Sequence, residues 1–185
     1  TRHFWWMGNG DEPMNNWTAW CTQNVLLAAF SRPTSDDLRR QVIARAASSL
    51  DAFLRDYGDD GACEEGVLYY RHAGLCLFNA MLVLDAVAPE AFGPLWREPK
   101  IRNVAEYIMR MHVDGPRYFN FADSSAVVER CGAREYLFGK AVGSDALADF
   151  AATDWAAEKK LTQPDEINLL YRVQSAFAVT ALEAY

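Results

Sequence analysis

Three observations predict an all-α fold built from antiparallel helical hairpins. Strand-like alternation is nearly absent, apolar residues recur at helical spacing along most of the chain, and a helix–loop–helix unit returns about every 40 residues. The 185 residues suit a single domain spanning 1–185, and a hydrophobic content of 51% is ample for one core.

The first helix is expected from about Trp17 to Phe30, stopping before Arg32-Pro33. A second opens at a Thr34/Ser35 cap with Asp36 and Asp37 favouring its N-terminal dipole, and runs to Tyr57-Gly58. Leu38, Val42, Ala46, Leu50 and Leu54 share its apolar face. The third, Tyr69 to Val87, is apolar almost all round and is expected to be the most buried. After a loop marked by Pro89, Pro94 and Pro99, a fourth helix runs from Lys100 to His112 with Ile101, Val104, Ala105 and Ile108 on one side. Asp114-Gly115-Pro116 ends it, and Arg117 to Asp123 is the one segment expected to be extended. Helices resume over Ala133–Val142, Ser144–Lys159 and Pro164–Tyr185, the last opening with Pro164, Asp165 and Glu166.

Eighteen basic against 25 acidic side chains give a net charge of -7, which argues against nucleic acid or an anionic membrane as partner. An acidic substrate would need local cationic help. No apolar run reaches the roughly 20 residues of a membrane span, and the first residues carry no signal-peptide pattern. Cys21, Cys63, Cys76 and Cys131 form no C-x-x-C pair and are expected as free, buried thiols. Aromatic residues make up 13% of the chain, and Trp5, Trp6, Trp17 and Trp20 fall in its first twenty positions. Such rings either pack a core or stack on the apolar faces of sugars.

Two segments combine amide, carboxylate and phenol groups at the start of an apolar helix. They are Asn15-Asn16-Trp17-Thr18-Ala19-Trp20-Cys21, and Asp60 to Tyr70 with Glu64, Glu65 and Tyr69. A phenol carries protons usefully only where its neighbours shift a pKa of about 10, and amides can hold a carboxylate without adding charge. Together they point to chemistry on an acidic sugar. Each residue also has a structural use: Asn15 and Asn16 as helix caps, Tyr69 and His72 as core residues, Glu64 and Glu65 at a helix dipole, Arg71 and Arg117 as surface ion pairs.

The chain resembles the heparinase II/III-like polysaccharide lyases in three stretches covering about its first two thirds. Asn15-Asn16-Trp17 is similar to the family's paired-Asn helix start. Glu64 to Tyr69 resembles its acidic, Gly/Ser, Tyr pattern, and Tyr118 to Ser124 a stretch in which an aspartate, here Asp123, closes a short loop. The resemblance implies an incomplete (α/α) toroid and β-elimination from a uronate-containing, bacterial-type polysaccharide, with no cofactor or metal. In it, Asn16, with Asn15 in reserve, donates to the uronate carboxylate and Tyr69 moves the proton. His72, one turn beyond Tyr69, tunes the phenol or binds substrate. Trp17, Trp20, Glu64, Glu65, Arg71 and Asp123 shape the substrate site.

Trp17 stands where several family members carry a His, and nothing in the chain reads as the β-sandwich domain that supplies the family's second catalytic histidine. His3 and His112 match no motif for that role. The chain is therefore expected to be truncated before that domain and inactive alone, leaving the sugar, the cleavage mode and the compartment (bacterial cytoplasm or periplasm) open. Two alternatives stay open. An inverting glycoside hydrolase on the same helical scaffold would pair Glu64 or Glu65 with Asp123, at about 6.5–9.5 Å. A non-catalytic carbohydrate-binding domain would show an aromatic cleft with no perturbed Tyr or acid pair.

Overall fold

Helix starts and stops in the chain are set by local chemistry that the computed structural model makes explicit for residues 4–158 and 168–185. A 3₁₀ turn at Trp5–Met7 precedes α1 (Asn16–Phe30), which opens where the Asn15 side chain accepts from the Trp17 amide. Ser35 caps α2 (Asp36–Asp56) in the same way, and the Ser49 hydroxyl of α2 donates to the Met7 carbonyl, tying down the N-terminal turn. Next come α3 (Val67–Tyr70), α4 (Gly74–Val87), α5 (Pro89–Phe92), a 3₁₀ turn at Gly93–Arg97, and α6 (Pro99–Arg110). A two-stranded antiparallel hairpin, β1 (His112–Asp114) and β2 (Arg117–Tyr118), leads through a long loop to α7 (Ala133–Ala141), α8 (Asp145–Ala156) and α9 (Leu169–Ala184).

The described residues are thus mostly helical, as predicted, and short connections return neighbours against each other. α1 packs on α2 and α4, while α7 packs on α8, α9, α6 and α4. One contiguous apolar cluster runs from Met14 to Leu182, with Leu75, Cys76, Leu77 and Phe78 of α4 fully buried at its centre. Ile101, Val104, Ala105 and Ile108 of α6 are buried on the side their spacing predicted.

Four expectations need correction. The third helix is not continuous: it breaks over residues 71–73, between α3 and α4. Tyr70 explains the break, because its ring is fully buried, its hydroxyl donates to the Ala105 carbonyl at 3.0 Å, and Gly74 passes so close that an added Cβ would lie 2.4 Å from that ring. Residue 112 belongs to a hairpin rather than to the end of α6. Of the segment expected to be extended, only Arg117–Tyr118 is strand. The Val67–Val87 segment is long and apolar enough to cross a membrane, which the sequence reading denied, although 72% of its apolar window is buried inside the fold.

The Ser144–Lys159 helix ends at Ala156, and the expected start at Pro164 lies outside the described residues, as does His3. All four cysteines are free; Cys63, Cys76 and Cys131 are buried, and Cys21 is partly exposed.

Two buried carboxylates fasten the C-terminal helices. Glu106 of α6 accepts from Arg102, Arg110 and the Ser144 hydroxyl, and Ser144 in turn caps α8. Asp154 of α8 accepts from the Cys131 amide at 2.7 Å and pairs with Arg130, anchoring the loop before α7. Carboxylates this buried are tolerated because each is fully engaged.

Candidate functional site

The first turns of α1 meet the Glu64–Ala73 segment, and the sequence-predicted residues gather along that seam. Asn16 is only 5% exposed, and its amide Nδ2 donates to Glu65 Oε2 at 2.9 Å. Its Oδ1 is buried with no hydrogen-bond partner among the described residues. A crevice of about 30 Å³, enough to admit water, lies between Asn15, Asn16, Glu64, Glu65 and Ala73. Burial lifts the Glu65 carboxyl above its ordinary value; Asn16 pulls the other way, and the charges of Asp123 and Glu64 add to the rise.

Further along the same seam four rings form a row. Trp17 lies 5.7 Å from Trp20, Trp20 stacks on His72 at 4.5 Å and 20°, and Tyr69 meets His72 edge-on at 5.9 Å. Helical spacing in α1 puts Trp17 and Trp20 on one face. The tight turn after α3, in which the His72 amide donates to the Tyr69 carbonyl at 2.9 Å, sets the two rings of Tyr69 and His72 against them. Trp17, 51% exposed, is the outer end of the row, while Trp20, His72 and Tyr69 are partly buried. Burial pushes the His72 pKa down, and the nearby charges of Arg134 and Arg71 push it further.

Asp123 comes to this seam through backbone packing. Gly66 has φ +89°, and a Cβ there would lie 2.6 Å from the Ser124 Cβ and 2.7 Å from the Phe121 carbonyl oxygen. Only glycine fits so close an approach in that conformation. The Leu68 amide donates to the Ser124 hydroxyl at 3.1 Å, so the loop carrying Asp123 is pinned to the start of α3. Ala122 in that loop is the one non-glycine residue of positive φ among the described residues, at 49°. An alanine there carries strain of about 1 kcal/mol or more, and such strain gathers at functional sites.

Asn15 caps α1, its side-chain oxygen accepting from the Trp17 amide at 3.0 Å, a use that leaves its side-chain N–H groups unengaged by the cap. One sequence-predicted residue does not fit the role given it. Arg71 is 8% exposed and turned into the core, where it pairs with Glu129, lies 3.8 Å from Glu135, and donates to the Glu129 and Arg130 carbonyls. Its charge is neutralised by those carboxylates, which removes it as a group for holding substrate.

Sequence reasoning missed a set of polar residues behind the ring row. Asn79 Nδ2 donates to Gln23 Oε1 at 2.9 Å, Gln174 Nε2 to Asn79 Oδ1 at 2.7 Å, and the Tyr171 hydroxyl to Gln23 Oε1 at 3.3 Å. Arg134 lies over the Tyr171 ring, its guanidinium carbon 3.8 Å from the centroid. Gln23 and Asn79 carried a signal, as buried amides within apolar helices α1 and α4. Arg134 carried none, since its setting depends on α7 packing against α9.

No family model and no curated protein matches the chain. Among the described residues, no group of three or more His, Cys, Asp or Glu side chains is placed to hold a metal ion.

Proposed function

We propose that this chain is the helical, incomplete (α/α) toroid part of a polysaccharide lyase that cleaves uronate-containing polymers by β-elimination. The observation that carries the reading is the ring row Trp17–Trp20–His72–Tyr69, partly open to solvent and ending on the Tyr69 phenol, in the same chain segment as Glu65 of the hydrogen-bonded Asn16–Glu65 pair. Stacked aromatic rings suit the apolar faces of sugars, and a phenol at the end of such a row is within reach of a ring proton.

In the reaction, the bond to the hydrogen beside the uronate carboxylate breaks as the Tyr69 oxygen, acting as the phenolate, takes the proton. The electron pair spreads onto the carboxylate, then forms the new carbon–carbon double bond as the glycosidic C–O bond breaks, and the Tyr69 hydroxyl returns that proton to the leaving oxygen. Stabilising the charge on the carboxylate governs the barrier. The second N–H of the Asn16 amide remains for that task, since the first is engaged with Glu65. His72, held neutral by its depressed pKa, lies against Tyr69 and can accept a hydrogen bond without adding charge.

A second reading has one observation in its favour. The raised carboxyl of Glu65, with Asp123 and Glu64 near it, is what an inverting glycoside hydrolase would need in its acid. Product chemistry separates the two. Uronate polymers incubated with the full-length protein are expected to give an unsaturated, ultraviolet-absorbing end for each bond cut; new reducing ends without that absorbance would replace the lyase with the hydrolase.

A further inference from the structure

A cavity of about 730 Å³, lined by none of the ring-row residues, lies where the N-terminal turn closes over the groove between α1 and α2. Pockets that hold small ligands measure about 300–1,000 Å³. The wall that the N-terminal turn supplies is fixed in three ways. The Ser49 hydroxyl of α2 donates to the Met7 carbonyl at 2.9 Å, Gly8 passes so close to α2 that an added Cβ would lie 2.5 Å from the Ala52 Cβ, and Phe4 stacks on Trp6 at 6.0 Å and 18°.

The lining is divided between apolar walls and a polar edge. Phe4, Trp6, Val25, Leu38 and Val42 form the walls, of which Phe4, Val25 and Leu38 are 44%, 43% and 46% exposed and so within reach of a ligand. Gln41, Arg45 and Ser48 form the edge, since positions 41, 45 and 48 follow one another by a helical turn along one side of α2. All three are exposed. Arg45 differs from the other arginines of its helix. Arg39 pairs with Asp36, Arg40 with Asp37 and Arg55 with Asp56, whereas Arg45 has no carboxylate within ion-pair distance among the described residues.

Charge and surface together select the ligand. In a chain of net charge -7, a cation without an acidic partner at the edge of an apolar cavity favours an anion there. Apolar walls leave the hydroxyls of a sugar without partners, and favour a hydrocarbon body instead. We propose that this cavity binds an amphiphilic anion, its apolar body against Trp6, Val25, Leu38 and Val42, and its carboxylate at Arg45 with Gln41 donating beside it. The site is separate from the ring row and does not depend on the sugar reading.

Calorimetric titration of the full-length protein with decanoate and decanol, each below the concentration at which it aggregates, tests the proposal. Wild-type protein is expected to bind decanoate about fivefold or more tightly than decanol. Arg45→Gln should abolish that preference while changing decanol binding less than twofold, and its exposed helical position lets the variant fold. Val25→Trp fills the cavity from an exposed wall and should weaken both ligands about fivefold or more. Leu38→Glu, which sets a like charge in the cavity, should weaken decanoate more than decanol, and decides the matter if Val25→Trp does not fold. Equal affinity for the two ligands in the wild type, a preference unchanged in Arg45→Gln, or undiminished decanoate binding in a folded cavity variant each overturns the proposal, as does an absence of binding. The lyase reading fails separately, by its product chemistry.

Discussion

At the scale of single residues, the site and the structural carboxylates make different demands on protons. His72 has a pKa below its ordinary 6.5 because burial and the charges of Arg134 and Arg71 disfavour the imidazolium. Between that lowered value and 6.5 the unfolded chain binds the proton more readily than the folded one, so stability falls as pH is lowered through the window. Denaturant unfolding at pH 7.5 and pH 5.5 should show this drop in the wild type and a smaller one in His72→Gln. Glu106 is the opposite kind of group. Burial alone would raise its pKa, but hydrogen bonds from Ser144, Arg102 and Arg110 outweigh that and bring it below 4.5. The stability it contributes is present above about pH 4.5 and lost as pH falls through the lower, folded value. Ser144→Ala removes both a hydrogen bond to Glu106 and the cap of α8, and is expected to destabilise by about 1–2 kcal/mol, read from the midpoint of urea unfolding.

At the scale of elements, close approaches hold the helices in place. Gly139 of α7 lies against α8 so tightly that an added Cβ would sit 2.8 Å from the Ala148 nitrogen and 3.1 Å from the Ser144 oxygen. Backbone cannot move aside as a side chain can, so Gly139→Ala should lower stability by about 1–3 kcal/mol, visible as a reduced melting temperature with no change in sugar binding. Element starts were legible at the caps Asn15 for α1, Ser35 for α2 and Ser144 for α8, whereas the Asn168 cap of α9 was passed over for an earlier start at Pro164. The break between α3 and α4 was not legible. Tyr69 to Val87 has unbroken helical periodicity, and the interruption comes from the Tyr70 hydroxyl reaching Ala105 across 35 residues. The β1–β2 hairpin was half hidden, since Arg117–Tyr118 fell in the segment read as extended while its partner His112 read as the end of a helix.

At the scale of the whole molecule, the helical class followed from periodicity, and the seam between α1 and the Glu64–Ala73 segment brings together residues 49 apart in Asn16 and Glu65. Ring spacing on α1 made Trp17 and Trp20 readable as neighbours. Their meeting with His72 and Tyr69, the burial of Arg71 and the setting of Arg134 all depend on how separate helices pack, which sequence spacing does not encode. The central claim, that Tyr69 moves a proton at the end of this ring row, is tested most directly by the rate at which ultraviolet-absorbing product forms in full-length Tyr69→Phe. Phenylalanine keeps the edge-on contact with His72 and removes only the hydroxyl, so the account predicts an intact fold and a rate lowered about 10²-fold or more; an undiminished rate would contradict it.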